Sequence, residues 1–116
     1  MASHRASDAL GRAFAALADP TRRRVVELLR VRPHRAGELA GELEVSAPAV
    51  TRHLRVLRDS ALVEEVGDDT DGRVSIYRLR QGAFAPLQAW VDDVQSMWQA
   101  QLEAFAAHVR KRRGKS

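Results

Sequence analysis

A chain of 116 residues, 45% of them hydrophobic, supports one domain with a single modest core and is too apolar to be a disordered segment. It has no cysteine, which excludes disulfides and thiolate metal sites, and no apolar run approaches the roughly 20 residues that a membrane span needs. The formal net charge of +4 suits a polyanionic partner, and all nineteen basic residues except Lys111 and Lys115 are arginines, which make bidentate contacts to phosphate and guanine.

The first helix is expected over about Asp8 to Ala18, with Leu10, Ala13, Phe14 and Leu17 on one face. Asp19-Pro20 then reads as a helix start, with Asp19 as N-cap and Pro20 at the first helical position. That helix runs to about Val31, buries Val25, Leu28 and Leu29, and ends before Pro33. A short helix over Ala36 to Leu43 follows, then a three-residue break, Glu44-Val45-Ser46. Ser46 is a good N-cap for the next helix, which reaches about Ser60 and buries Val50, Leu54 and Leu57 at i, i+4 and i+7. Val63 to Gly67 and Val74 to Leu79 read as two strands joined by a turn-forming run, Asp68 to Arg73. The helical period returns from Ala83 to about Arg112, and Arg110 to Ser116 is expected to fray. The fold class is therefore mainly α with a small β-hairpin, a winged helix-turn-helix. It is expected to be one domain over 1–116, with a DNA-binding core at 8–82 and a long dimerisation helix at 83–112.

Two helices joined by a three-residue turn form a helix-turn-helix, whose second helix enters the major groove. At 100° per residue, the face opposite Val50, Leu54 and Leu57 carries Pro48, Thr51, Arg52, Arg55 and Asp59. The first four suit DNA. Ser46 and Ala47 occupy the N-terminal turn, where free N–H groups and the helix dipole favour a phosphate. His53 lies at the edge of the buried stripe.

On Leu17-Ala18-Asp19-Pro20-Thr21-Arg22-Arg23, Gly37-Glu38-Leu39-Ala40, the run Val45 to Leu57 and Ile76-Tyr77-Arg78-Leu79, the chain resembles the arsenic-repressor (ArsR/SmtB) family of winged helix-turn-helix regulators, over about Ala9 to Val109. The resemblance implies a homodimeric repressor on a palindromic operator, with double-stranded DNA contacted from Ser46, Ala47, Pro48, Thr51, Arg52, His53 and Arg55. Family wings usually carry a basic tip. Here Glu64, Glu65, Asp68, Asp69 and Asp71 make the hairpin acidic, so a weak wing contribution is expected, from Arg73 and secondarily Arg78. Metal-responsive members use cysteines in the helix-turn-helix or Asp and His on the last helix. With Asp92, Asp93, Glu103 and one histidine, His108, on that helix, no metal site and no cofactor are expected.

Phe84, Leu87, Val91, Val94, Trp98, Leu102, Phe105 and Val109 recur every three or four residues, and Trp90 widens the stripe. An apolar stripe of this length marks an interface, and the helix is expected to pair with its two-fold mate together with Leu10 and Phe14 of the first helix. Such pairing sets two recognition helices about 34 Å apart, one DNA turn. No Gly-rich phosphate loop or nucleophile motif is present, so no enzyme activity is expected. Two alternatives stand beside the repressor reading. One is a regulator of the same fold that senses a small organic ligand near Trp90, Trp98 and Phe105; the other is a winged-helix module that binds protein. The start, Met1 to Ser7, is too polar for a secretory signal, so a cytoplasmic location is expected.

Overall fold

The computed structural model describes residues 2–68 and 71–114, and the side chains of residues 8–67 and 75–114. The chain divides into two compact units, 1–84 and 85–116. The first unit holds α1 (Ala2–Ala18), α2 (Pro20–Val31), β1 (His34–Arg35), α3 (Ala36–Leu43), α4 (Ala47–Asp59), β2 (Val63–Asp68) and β3 (Asp71–Leu79). The second is one helix, α5 (Ala85–Gly114). No helix among the described residues is long and apolar enough to cross a membrane.

The start of α2 follows from its first residues. Pro20 fixes the backbone of the first turn, and Asp19, in extended conformation, accepts the Arg22 N–H at 2.9 Å on its Oδ2. That hydrogen bond, with the nearby Arg22 charge, holds the Asp19 carboxyl below its ordinary value of 3.8. At the other end Arg32 is extended, as the residue before Pro33 must be, and its N–H closes on Leu28 O. A carboxylate whose folded value is depressed adds stability that is complete above the unfolded value and is lost as pH falls through the folded one. Asp19→Ala is therefore expected to lower the unfolding free energy by about 0.5–2 kcal/mol at pH 7. In urea titrations, the difference from wild type should shrink as the pH drops below the ordinary Asp19 value.

The core of this unit is aliphatic: Val25 and Leu29 of α2, Leu39 and Leu43 of α3, Val50, Leu54 and Leu57 of α4, and Leu62 and Val63 beyond it, with Ala13 and Ala16 of α1. Leu28, expected to be buried, is half-buried. Phe14, on the predicted apolar face of α1, is 42% exposed.

The sheet departs from the expected two-stranded hairpin. It has three strands in the order β1-β3-β2, because His34 pairs with Tyr77 and Arg35 with Ile76. Along the wing, Val63 to Gly67 pair with Leu79 to Ser75, and a register shift at Gly67/Asp68 brings Asp68 opposite Asp71. The second strand thus starts at Asp71, three residues before the expected Val74. His34 is buried, and its Nδ1 lies 2.8 Å from the Arg32 carbonyl oxygen. A carbonyl only accepts, so Nδ1 carries a proton and this buried ring nitrogen has its partner.

Three helix boundaries also differ from expectation. Helix α1 begins at Ala2 rather than Asp8. Helix α5 begins at Ala85, so Phe84 sits in the preceding turn, closed by Ala83 N–H to Arg80 O. Helix α5 also continues through Arg110 to Gly114 where fraying was expected. Lys111, Arg112 and Arg113 in its last turn complement the negative end of the helix dipole.

Candidate nucleic-acid interface

The helix-turn-helix is α3, a tight turn and α4. Glu44 adopts the left-handed conformation (φ 56, ψ 42) that glycine favours. This lets Glu44 N–H bond Gly41 O and Val45 N–H bond Ala40 O, so the end of α3 is closed within two residues. At the start of α3 the Glu38 carboxylate accepts the Arg35 N–H at 3.0 Å, and its other oxygen meets Arg32 at 3.1 Å. The first of these, then the second, holds the Glu38 carboxyl below its ordinary range. An arginine side chain has no acceptor to return the bond, so only half of a capping box forms.

Ser46, extended, accepts the Ala49 N–H on its Oγ at 3.3 Å and starts α4, with Pro48 in the first turn. The serine hydroxyl takes up one N–H of this turn that the sequence offered to a phosphate. Beyond it, Val50, Leu54 and Leu57 are inside, each 1% exposed or less. Pro48, Thr51, Arg52, Arg55 and Asp59 are exposed on the opposite side, as are Ser46 and Ala47. Thr51 Oγ1 donates to Ala47 O at 3.0 Å, which leaves the hydroxyl oxygen as an acceptor and the methyl turned outward from that bond. Among the described residues neither Arg52 nor Arg55 has an ion-pair partner.

His53 differs from these. It is half-buried and lies against the corner between α1 and α2, with Nδ1 3.4 Å from Arg22 Nη1 and 3.9 Å from Asp19 Oδ2. The same corner uses Arg22 and Arg23 as caps on the end of α1: Arg22 bonds Ala16 O and Ala15 O, and Arg23 bonds Leu17 O and Ala18 O. The sequence reading places Arg22 and Arg23 in a family motif and gives neither a structural role. Their place directly after a predicted helix end was the available clue, since arginines there can satisfy the last carbonyls.

The wing is less acidic in space than in sequence. Arg58, at the end of α4, meets Glu65 at 2.8 Å, and Arg78 meets Glu64 at 2.7 Å across the strand pair. Ser75 Oγ also donates to Glu65 Oε1. Two of the five hairpin carboxylates are thus compensated, and Arg78 spends its charge within the wing. The Arg73 side chain lies outside the described ones.

Of the expected interface residues on the first unit, Leu10 is half-buried and Phe14 exposed. On α5, Leu87 is half-buried, while Val91, Val94, Trp98, Leu102 and Phe105 are 41–67% exposed. No side chain of the helix is buried. Asp92 accepts from Gln88 at 2.9 Å. Among the described residues no three His, Cys, Asp or Glu converge as metal ligands would.

Comparisons with known proteins agree with this architecture. A family model for bacterial regulatory proteins of the arsR family matches residues 19–65, which span α2, α3, α4 and the first wing residues. The HTH-type transcriptional regulator Rv2034 of Mycobacterium tuberculosis is 40% identical over 106 residues, 91% of each chain. The transcriptional repressor SdpR of Bacillus subtilis is 31% identical over 78 residues, 67% of this chain and 83% of that protein. Among solved structures, an ArsR-like transcriptional regulator from Rhodococcus sp. RHA1 superposes with a TM-score of 0.74 at 30% identity, covering 85% of this chain and 91% of the other. The relatives are transcriptional regulators rather than enzymes, and this chain belongs to the arsR family of bacterial DNA-binding regulatory proteins.

Proposed function

We propose that the protein is a cytoplasmic, homodimeric repressor that reads a palindromic operator with α4 and responds to no metal. One observation carries this reading: α4 buries Val50, Leu54 and Leu57 and leaves Thr51, Arg52 and Arg55 outside, with neither arginine neutralised by a described carboxylate. In a groove, Arg52 and Arg55 supply donors for guanine or phosphate, the Thr51 oxygen accepts from a base amino group, and Pro48 meets a thymine methyl. Ser46 and Ala47 place the helix start near a phosphate, and the wing's share of binding is assigned to Arg73. The name repressor given to SdpR supports the direction of regulation. The exposed apolar residues of α5, with Leu10 and Phe14, supply the self-association that a palindrome requires.

Selection of genomic fragments by the purified protein tests DNA binding, palindromy and target together. Arg52→Ala should then weaken operator binding by about 1–3 kcal/mol and relax the sequence preference at one position of each half-site. An equal loss on all sequences would move Arg52 from base to phosphate contact. Selected fragments sharing no inverted repeat would overturn the palindrome.

A further inference from the structure

His53 is the one member of the proposed DNA-contacting set whose ring is held from behind. Its side chain is 23% exposed, and Nδ1 faces Arg22 Nη1 at 3.4 Å. Arg22 has little freedom to move away. Its Nε donates to Ala16 O at 2.6 Å, its Nη2 to Ala15 O at 3.2 Å, and its own backbone N–H is bound to Asp19 Oδ2. A guanidinium has only donors and keeps its proton. Nδ1 facing it is therefore the acceptor nitrogen, and a neutral ring must carry its proton on Nε2. The Nδ1–H tautomer would set N–H against N–H. The Asp19 carboxylate at 3.9 Å offsets part of that repulsion.

The ring's place on α4 says what the remaining N–H can reach. His53 is roughly 60° round the helix from the centre of the buried stripe, on the flank rather than on the face that carries Thr51 and Arg55. The flank of a helix lying in a groove meets the groove wall, which is phosphate. We infer that Arg22 is a positioning residue that holds His53 as the neutral Nε2–H imidazole, so that α4 offers one uncharged, pre-aimed donor to a DNA phosphate. This rests on the proposed docking of α4 in the groove. It ties the α1–α2 corner to DNA binding through one ring, without any direct contact of Arg22 with DNA.

Imidazole ¹⁵N NMR of the free protein near pH 7.5, with His53→Gln used for assignment, reads the tautomer directly. The expected wild-type spectrum has an acceptor-type Nδ1 and a protonated Nε2, and Arg22→Leu mixes the tautomers. In DNA titrations, His53→Gln keeps a donor near the Nε2 position and should bind within about twofold of wild type. His53→Asn puts its amide near Nδ1 instead, and both it and Arg22→Leu should bind about five- to tenfold more weakly on operator and competitor DNA alike. The slope of log affinity against log salt should be the same in every variant, because a neutral donor releases no counterion. A wild-type Nδ1–H tautomer overturns the inference. So does a slope shallower by about one in His53→Asn, which would mean a charged imidazolium, or equal binding by the Asn and Gln variants. The wild-type spectrum decides even if Arg22→Leu fails to fold. A wild-type protein that does not prefer operator over competitor DNA sinks the proposed function instead, whatever its tautomer.

Discussion

Leu54→Ala is expected to cost about 2–5 kcal/mol of unfolding free energy. Leu54 is 1% exposed and stands in the middle of the inward stripe of α4, between Val50 and Leu57, both fully buried. Truncation removes three carbons from a site whose neighbours come from several elements and cannot all close in. For a domain stabilised by about 5–15 kcal/mol, that is a large share of the total. The control lies on the same helix: Val56 is 37% exposed, and Val56→Ala should cost under about 1 kcal/mol. Urea midpoints for the two variants measure the facing of α4 in solution. If Val56→Ala proved the more damaging, α4 would be turned the other way, with its arginines inward, and no groove-reading face would remain.

The stripe that sets this prediction was legible in the sequence because a buried helix face repeats with a fixed period. Helix starts were legible for a different reason. Asp19-Pro20 and Ser46 with Pro48 are local devices, whose hydrogen bonds close within three residues of the cap. What sequence reading missed depends on partners far along the chain. His34-Arg35 is too short to show alternation between Pro33 and a helix start, and it is a strand only because Ile76 and Tyr77 lie beside it. The Arg58–Glu65 and Arg78–Glu64 pairs join residues seven and fourteen apart, across different elements, so a count of hairpin carboxylates overstated the acidity of the wing. The link from Arg22 to His53 spans 31 residues, and no local rule connects an arginine that caps one helix to a ring on another. The groove-facing set of the candidate site could be listed from α4 alone, whereas the support behind it could not.

The largest functional loss is expected from α5. Over 30 residues, about 45 Å, it carries Val91, Val94, Met97, Trp98, Leu102 and Phe105 at 41–67% exposure, and none of its side chains is buried. Helices of globular proteins draw most of their stability from packing an apolar face, so a stripe this long and this exposed is expected to be covered by a second copy. Val94→Glu with Trp98→Glu puts two carboxylates one turn apart on that stripe. At a two-fold interface each copy contributes both, so four like charges would have to leave water together, at several kcal/mol per unpaired ion. The dimer dissociation constant should rise by more than about a hundredfold, and sedimentation at micromolar concentration should give the mass of one chain. Operator binding should fall with it, because a monomer engages one half-site and loses the gain from linking two. A double variant that sediments and binds like wild type would show that self-association runs through some other surface. A wild-type protein that is already monomeric at that concentration would remove the dimer, and with it the physical reason for a palindromic operator.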